Sequence, residues 1–264
     1  MKLAEFMDDA YQGLKRGRRL ETRQGDTIFS LEDLADRVGR KPSRNAVEEL
    51  VPQDKSTLIR LIDSDPGKTY RLLWGYLSSI AAERSPEPLP LPARDYAGLE
   101  LSSGTIILDE ARDHVAKDHV GKDHVGERMK GGRILVRLGA GDYLGQEMSG
   151  GGIIAESVGD YAFQNMRGGF GVVQGDSGNS LGLGNNGGKI VCKGSCGERA
   201  GWLMRSGSLR VGGEAGDYLG LLMSGGKIVV AGRTGKRAGW RMKGGTIMAN
   251  GFGPEAADGV LGLD

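Results

Sequence analysis

The side chains best suited to metal or acid–base chemistry are crowded into one segment, ARDHVAKDHVGKDHVGER, which holds all three histidines of the chain. Each histidine directly follows an aspartate, and they lie five residues apart, at His114, His119 and His124. Imidazole and carboxylate groups bind zinc and similar metals, so the segment is a candidate metal site. A five-residue spacing does not place side chains on one helical face, however, and no nearby cysteine completes a zinc set. We favour a simpler interpretation, in which D-H-V-G is a variant of a D-Y-L-G motif that recurs later.

Three further motifs match the residue pattern of catalytic or nucleotide-binding signatures, but the residues or elements that those signatures also require are missing. Residues 182–187, GLGNNG, fit a dinucleotide fingerprint, but repeats flank them where a strand and a helix are required. Residues 66–69, PGKT, end like a phosphate loop, yet Ile62 stands where its first glycine is needed. Ser177 lies in a G-D-S-G sequence like that of a serine protease nucleophile, but every histidine is more than 50 residues upstream. The sequence thus predicts no catalytic or cofactor-binding residue, and it leaves open whether the chain is an enzyme.

Charge and cysteine content narrow the class of protein. The 264 residues include 35 lysines and arginines against 34 aspartates and glutamates, a net charge of +1. This balance argues against a protein held mainly by nucleic-acid phosphates or anionic lipid. The sequence has no apolar stretch of membrane-spanning length and no apolar signal-peptide core near its start, so we expect a cytoplasmic protein. Cys192 and Cys196 are too few for a disulfide framework or an iron–sulfur cluster, and we expect both to be buried.

The second part of the chain is built of glycine-rich repeats. Seven segments of 18 or 19 residues share the pattern G-D-Y-L-G-x-x-M-x-G-G-x-I-x-V-x-G. They begin at Lys122, Gly141, Gly159, Gly178, Gly197, Gly216 and Gly235. A unit this short cannot bury its own apolar face, which is typical of one coil in a solenoid of stacked coils. The predicted fold class is mainly β: a right-handed parallel β-helix of about seven coils, preceded by a small α-helical domain.

The spacing of apolar residues within each coil predicts the stacked core. The I-x-V element alternates like a half-buried strand, so its first and third residues should point inward. The aliphatic residue of D-Y-L-G and the recurring methionine should join them. These positions are Leu144, Ala162, Leu181, Ala200, Leu219 and Ala238, with Met129, Met148, Met166, Met204, Met223 and Met242. Because solenoid ends expose unpaired backbone, we expect the helical domain to cap one end and partner proteins the other.

The repeats carry a family resemblance. The run of G-D-Y-L-G-x-x-M-x-G-G-x-I-x-V units resembles the glycine-rich (GXGXG) β-helix shared by the β-helical subunit of formylmethanofuran dehydrogenase and the C-terminal domain of the large subunit of glutamate synthase. It covers about residues 102–253, over half of the chain. The resemblance implies a non-catalytic β-helix that supports the catalytic subunits of an oxidoreductase complex. It further implies that flavin, iron–sulfur or molybdopterin cofactors belong to those partner proteins and none to this chain.

The residues before the repeats are predicted to form a helical domain. Residues 3–14 follow helical spacing, and Ser30 and Ser43 are candidate N-caps. A later helix over residues 68–84 should bury Leu72, Leu73, Tyr76, Leu77 and Ile80. The four prolines of SPEPLPLPAR then predict an extended linker. The predicted division is a helical domain (1–84), a proline-rich linker (85–98), a β-helix (99–253) and a C-terminal tail (254–264).

One segment of the helical domain supports an alternative function. Residues 30–50, SLEDLADRVGRKPSRNAVEEL, resemble a helix-turn-helix, with Leu31, Leu34, Gly39 and Val47 near the expected positions. Under this hypothesis the chain is a DNA-binding regulator whose β-helix serves for oligomerisation. Against it, Pro42 falls in the turn and the domain carries no net positive charge.

Recurring aromatic residues are the candidate docking site for protein partners. Tyrosines follow an acidic residue at the same place in three coils, and two tryptophans share another place two repeats apart. The candidate docking residues are Tyr143, Tyr161, Tyr218, Trp202 and Trp240. Exposed aromatic side chains are enriched in protein interfaces, so these residues predict contacts with catalytic subunits in a homo- or hetero-oligomeric complex.

Overall fold

The computed structural model describes residues 30–39, 41–109 and 123–263, which form four helices followed by one sheet of ten parallel strands. The helices are α1 (Leu31–Val38), α2 (Arg44–Leu50), α3 (Lys55–Asp63) and α4 (Arg71–Arg84). The strands are β1 (Leu89–Pro92), β2 (Thr105–Asp109), β3 (Arg133–Val136), β4 (Gly152–Ala155), β5 (Phe170–Val173), β6 (Asn186–Cys192), β7 (Ser206–Val211), β8 (Lys227–Arg233), β9 (Thr246–Gly251) and β10 (Val260–Gly262). The predicted helix over residues 3–14 lies outside the described residues.

Three of the four described helices begin where the sequence supplies a side-chain cap. Ser30 caps α1 in a capping box with Asp33, and Ser43 caps α2, as predicted. Asp54 caps α3 by accepting hydrogen bonds from the next turn. The predicted late helix is α4, which ends at Arg84 as expected, but Leu72 is 38% exposed and its predicted burial was wrong. None of the described helices is long and apolar enough to cross a bilayer.

The sheet runs along a parallel β-solenoid, which confirms the predicted fold class. Each strand pairs only with the strands before and after it in the sequence, so the spatial order of the strands is the same as their order along the chain. The register pairs equivalent residues of successive coils: Ile134 pairs with Ile153, and Leu209 with Ile228. A second parallel row links Ala140, Val158, Ser177, Cys196, Ala215 and Thr234 on another side of the coils. The repeat period therefore predicted both the stacking and its register.

The described solenoid has eight coils rather than seven. We number them by the residue that opens each corner motif: Asp95, Asp123, Asp142, Asp160, Asn179, Glu198, Asp217 and Lys236. Coil 1 was missed because D-Y-A-G-L-E-L-S-S-G-T-I-I-L is separated from the next repeat by an insertion. Its strand β2 nevertheless pairs with β3 in the common register.

Two predicted boundaries differ from the structure. The proline-rich segment was expected to be a linker, yet β1 within it pairs in parallel with β2. Pro90 and Pro92 are tolerated because β1 is the edge strand of the described sheet, and alternate residues of an edge strand direct their backbone groups away from the neighbour. The C-terminal segment, expected to be a tail, likewise provides β10, which pairs with β9.

The interior is the predicted stack of aliphatic and methionine side chains. The predicted aliphatic residues of the D-Y-L-G motif, from Leu144 to Ala238, are fully buried, as are the methionines from Met129 to Met223. Met242 belongs to coil 8 and is only partly buried, because only the short β10 segment follows that coil. Burial of the shared face thus depends on the presence of a neighbouring coil.

Helix α4 caps the first coil with side chains. In coil 2, the N–H groups of Gly126 and Lys130 donate to carbonyls of coil 1. Coil 1 has no earlier complete coil, and its Gly98 N–H instead donates to Oγ of Ser78 at 2.9 Å. The Ser102 N–H donates to a carboxylate oxygen of Glu83 at 2.8 Å. The helical domain therefore supplies the acceptors that a preceding coil would have supplied, as expected of a cap.

Coil 4 departs from the repeat at two positions that compensate each other. In coils 1, 2, 6 and 7 the corner glycine lies against an isoleucine of the next coil: a Cβ added at Gly201 would lie 2.5 Å from Cδ1 of Ile228. In coil 4 the corner glycine is replaced by Phe163 and the strand isoleucine by Gly171. The Phe163 ring is fully buried, and a Cβ added at Gly171 would lie 2.3 Å from it. One aromatic ring thus fills the space of a missing isoleucine.

This exchange predicts that two substitutions, each destabilising alone, compensate each other when they are combined. Phe163→Gly alone should lower the free energy of unfolding by roughly 3 kcal/mol because it leaves a cavity. Gly171→Ile alone should also destabilise the chain, because the new side chain overlaps the Phe163 ring. The double variant restores the pattern of the other coils and should recover stability to within about 1 kcal/mol of the original chain. Urea unfolding followed by circular dichroism measures all three, and additive losses in the double variant would contradict the exchange.

Candidate functional site

The first aromatic corner is a ladder of stacked rings. Tyr96, His124, Tyr143 and Tyr161 occupy the same position in coils 1 to 4. Their centroids lie 4.7, 4.8 and 5.1 Å apart, and adjacent ring planes are within 8° of parallel. All four residues have a left-handed backbone, with φ near 60°. A left-handed φ costs a non-glycine residue about 1 kcal/mol, and the ring contacts offset this cost.

The acidic residue beside each ring has a backbone partner in the following coil. Oδ1 of Asp142 accepts the Asp160 N–H at 2.8 Å, and Oδ1 of Asp160 accepts the Asn179 N–H at 2.7 Å. The bond recurs from Asp123 to Asp142 and from Asp217 to Lys236. The acidic-aromatic corner thus has a structural explanation inside the chain.

The three tyrosines proposed for docking differ in their surroundings. Tyr143 and Tyr161 are half-buried in the ladder. Tyr218 is separated from it, and its hydroxyl oxygen accepts a hydrogen bond from the guanidinium of Arg237 at 2.7 Å. All three rings therefore have contacts within the chain, and their role in docking stays a prediction.

The histidines fall into two groups. His124 lies in the ring ladder, so D-H-V-G is the corner motif of coil 2, as the simpler interpretation predicted. Its Nδ1 lies 2.8 Å from a carboxylate oxygen of Glu127. His114 and His119 lie outside the described residues. Within residues 30–39, 41–109 and 123–263, no group of three or more histidine, cysteine, aspartate or glutamate side chains is placed to hold a metal ion.

The remaining candidates for chemistry lie in the interior of the solenoid. Ser177 is buried in the second parallel row, and its Oγ lies 3.3 Å from the carbonyl oxygen of Gly178. Cys192 and Cys196 are buried free thiols, as predicted. Burial raises the pKa of both, with the nearby Cys192 adding to the effect on Cys196, whose pKa rises to about 12. Such thiols are protonated at neutral pH and are poor nucleophiles.

A cluster of exposed apolar side chains lies on the corner of coils 6 to 8. Trp202, Leu221 and Trp240 occupy one column, and Leu203 and Leu222 occupy the adjacent one. We call these five residues the tryptophan corner. Leu203 is 40% exposed and Trp240 36% exposed, and the other three are half-buried. The same columns hold Gln146, Glu147, Gln164 and Asn165 in coils 3 and 4. The corner therefore changes from polar to apolar along the solenoid.

The leucines of the tryptophan corner occupy a position whose backbone is left-handed in every coil. Leu203 and Leu222 have φ values of 56° and 55°, in the left-handed region that leucine adopts only at a cost. Coil 5 has Gly184 at this position, and coils 1 to 4 and 8 have the polar or charged residues Glu100, Arg128, Glu147, Asn165 and Arg241, with φ of 53° to 57°. Leu203 gains little from burial, since it is among the most exposed large apolar residues of the described chain. Since other coils have polar residues at this position and Leu203 gains little from packing, the apolar side chain itself is the distinguishing feature, which is expected at an interaction site.

The sequence identified part of this corner. Trp202 and Trp240 were predicted to dock partners, and they lie in the cluster with the guanidinium of Arg237 5.0 Å from the Trp240 ring centroid. Sequence reasoning missed Leu203, Leu221 and Leu222. The signal was the replacement of polar residues in the x-x positions of D-Y-L-G-x-x-M by W-L and L-L.

No family model matches the chain, and no curated protein matches it. Function is therefore inferred from the surfaces of the chain itself and from the repeat pattern.

The helix-turn-helix-like segment forms α1 and α2, as two helices joined by a short connection. Arg44, at the start of α2, forms an ion pair with Glu83 of α4 and donates to the carbonyl of Glu100 at 2.9 Å. Burial acts to lower the pKa of Arg44, but the hydrogen bond and charge of Glu83, together with the charges of Glu48 and Glu100, outweigh burial and the pKa is raised. This cation serves the contact between the helical domain and coil 1, while DNA binding by the segment stays a prediction.

The ring ladder predicts different effects for two substitutions of Tyr143. Tyr143→Phe keeps the stacked ring and should change the free energy of unfolding by less than about 0.5 kcal/mol. Tyr143→Asn should cost about 1 to 2 kcal/mol, because asparagine tolerates a left-handed φ but removes two ring contacts. Urea unfolding measures both. Full stability of Tyr143→Asn would show that the rings do not stabilise the corner.

The buried thiols predict slow alkylation and a decline of stability in alkaline solution. In the folded chain at pH 8, neither cysteine should react with a thiol reagent within minutes, whereas both should react in denaturant. The raised pKa means that the neutral Cys196 thiol favours the folded state below pH 9.0, and this contribution is lost as the pH rises from 9.0 to about 12. Cys192→Ala assigns the remaining signal to Cys196. Rapid labelling in the native state would contradict the buried geometry.

Proposed function

We propose that this chain is a non-catalytic β-helical scaffold subunit that holds catalytic protein subunits in a multi-subunit complex, with the tryptophan corner as a docking surface. The observation that carries the proposal is the cluster of exposed and half-buried apolar side chains at this corner, with Leu203 40% exposed and Trp240 36% exposed, where coils 3 and 4 have polar residues. Tryptophan is enriched among the residues that dominate interface energies, and clustered exposed apolar side chains mark interaction sites. The stacked coils hold this cluster on a rigid support.

The class of complex follows from the resemblance of the repeats. On that basis we assign the chain to an oxidoreductase-type assembly, most like that of the β-helical subunit of formylmethanofuran dehydrogenase or the β-helix domain of glutamate synthase. The chemistry then belongs to partners that carry flavin, iron–sulfur or molybdopterin. A cytoplasmic location is consistent with two free cysteines, since reduced thiols persist in that compartment.

The proposal predicts that removal of the two leucines at the tryptophan corner weakens partner binding and leaves stability nearly unchanged. In a Leu203→Gly and Leu222→Gly double variant, glycine relieves the left-handed backbone, so the free energy of unfolding should stay within about 1 kcal/mol. Loss of the two leucine side chains should lower the amount of stoichiometric subunits isolated with the tagged chain from its own cells by about tenfold. The matched control is Glu147→Gly, which makes the same backbone change in coil 3, outside the corner.

The identity of the isolated subunits tests the class of complex. Absorption spectra and metal analysis of the purified assembly should report flavin, iron–sulfur or molybdopterin in the partner proteins. Isolation of the original chain without any stoichiometric subunit would overturn the scaffold proposal. Equal retention of subunits by the double variant and the original chain would exclude the tryptophan corner as the docking surface.

A further inference from the structure

The outward face of the ten-stranded sheet carries an apolar row that the scaffold proposal does not use. The residue between the two inward positions of each strand points away from the core. This outward position is apolar in most coils: Ile107, Leu135, Ile154, Val172, Val191, Val229 and Met248. All seven are half-buried, and the described strands form one sheet, so no second described sheet covers them. Outward positions of a solvated sheet are usually polar, so this row indicates a surface that a partner covers.

An exposed aromatic ring lies beside the middle of this row. Phe170 begins β5 in coil 4 and is 42% exposed. It lies over Gly152 of coil 3, where an added Cβ would come within 2.0 Å of the ring. The ring therefore has a fixed position on the face without being buried. A large exposed aromatic residue next to an aliphatic row is the usual arrangement of an interface anchor.

Unpaired cations border the row on one side. They are Arg133, Lys189 and Lys227 in the column of Phe170, and Arg167, Arg205 and Lys243 at the preceding corner. We call these six residues the basic strip. All are exposed, and none forms an ion pair in the described part of the chain. The two columns contain no acidic residue in coils 1 to 8. The net charge of +1 for the whole chain makes this local excess distinctive.

The spacing of the basic strip fits a helix lying along the solenoid. Arg167, Arg205 and Lys243 belong to coils 4, 6 and 8, so each is two coils from the next. Two coils span about 9.6 Å at the usual strand separation. Seven residues of an α-helix span about 10.5 Å, so carboxylates one heptad apart would meet successive cations of flexible length.

We propose that this face binds an acidic amphipathic helix of a partner protein, with its apolar side over Phe170 and the aliphatic row and its carboxylates against the basic strip. The inference rests on the proposed scaffold function, for which it names the chemistry of a second docking surface. A second copy of the chain fits poorly, because the described face has no acidic column to meet the basic strip. Nucleic acid would use the cations but would leave the aliphatic row without a role.

The test uses the full chain and a fluorescent synthetic peptide of about three heptads, with leucines on one side and glutamates on the flanks. Binding is followed by fluorescence anisotropy. The charge-reversal variant combines Arg167→Glu, Arg205→Glu and Lys243→Glu, and it should weaken peptide binding by at least about tenfold. The matched control combines Lys41→Glu, Lys55→Glu and Lys68→Glu, which make the same charge change at exposed positions of the helical domain. It should change the affinity by less than about twofold.

Two further variants separate apolar docking from simple charge attraction. Val172→Thr with Val191→Thr preserves β-branched shape at outward positions, and it should weaken peptide binding several-fold. The neutral set Arg167→Gln, Arg205→Gln and Lys243→Gln replaces the charge-reversal variant if that variant does not fold. A peptide with glutamine in place of glutamate should bind at least about tenfold more weakly than the acidic one. Equal binding of both peptides, or unchanged binding by the charge-reversal variant, would overturn the inference.

Duplex DNA serves as the competing ligand. Tighter binding of DNA than of the peptide, unaffected by the threonine substitutions, would assign the basic strip to nucleic acid and sink the proposed helix. Isolation from native cells separates this inference from the scaffold function. If the charge-reversal variant retains every subunit that the original chain retains, the face is not a docking surface, although the scaffold proposal stands. If the original chain isolates alone, the scaffold proposal itself fails.

Discussion

No coil of this protein can complete its own hydrogen bonds or bury its own apolar side chains. The N–H groups of one corner alternate between the coil before and the coil after, as when Tyr143 donates to Asp160 and Gly145 donates to Val125. The strand of each coil finds its partners only in adjacent coils. Stability is therefore a property of the stack, and its ends need special treatment. At the first coil, α4 provides Ser78, Ser79 and Glu83 in place of the missing backbone acceptors and donors.

Because every coil meets the same constraint, departures from the repeat have physical meaning. Phe163 and Gly171 depart from it together, and the ring of one occupies the space released by the other. These two substitutions compensate each other within the core, so no function is needed to explain them. Leu203 and Leu222 depart without such a partner: they place apolar side chains where the other coils have glycine or polar residues, and Leu203 remains 40% exposed. An apolar substitution at the surface without an internal compensation is the feature on which the proposed docking surface rests.

The sequence predicted the parts of the fold that depend on periodicity. The inward positions and the register follow from a 19-residue repeat, so the stacked isoleucines, small aliphatic residues and methionines could be assigned residue by residue. Coil 1 was not predicted because an insertion separates its sequence from the other repeats. Strand β1 was not predicted because its prolines indicate a linker, and the sequence does not show that this segment lies at an edge of the sheet. The docking residues were harder. Tyr143 and Tyr161 have the composition of an interface, and only the folded chain shows that their rings contact one another.

The same repetition explains how the chain presents extended surface columns, on which both proposed docking surfaces depend. A parallel solenoid displays any residue that recurs at one position as a straight column, with successive members about 4.8 Å apart. Substitution at a single position of the repeat therefore tunes a surface column and leaves the core unchanged. The tryptophan corner, the aliphatic row and the basic strip are three such columns or column pairs, each compatible with the buried stack beneath it. The columns are held in place by the stack, whose register allows little sliding because a shift by one residue would turn the isoleucines outward.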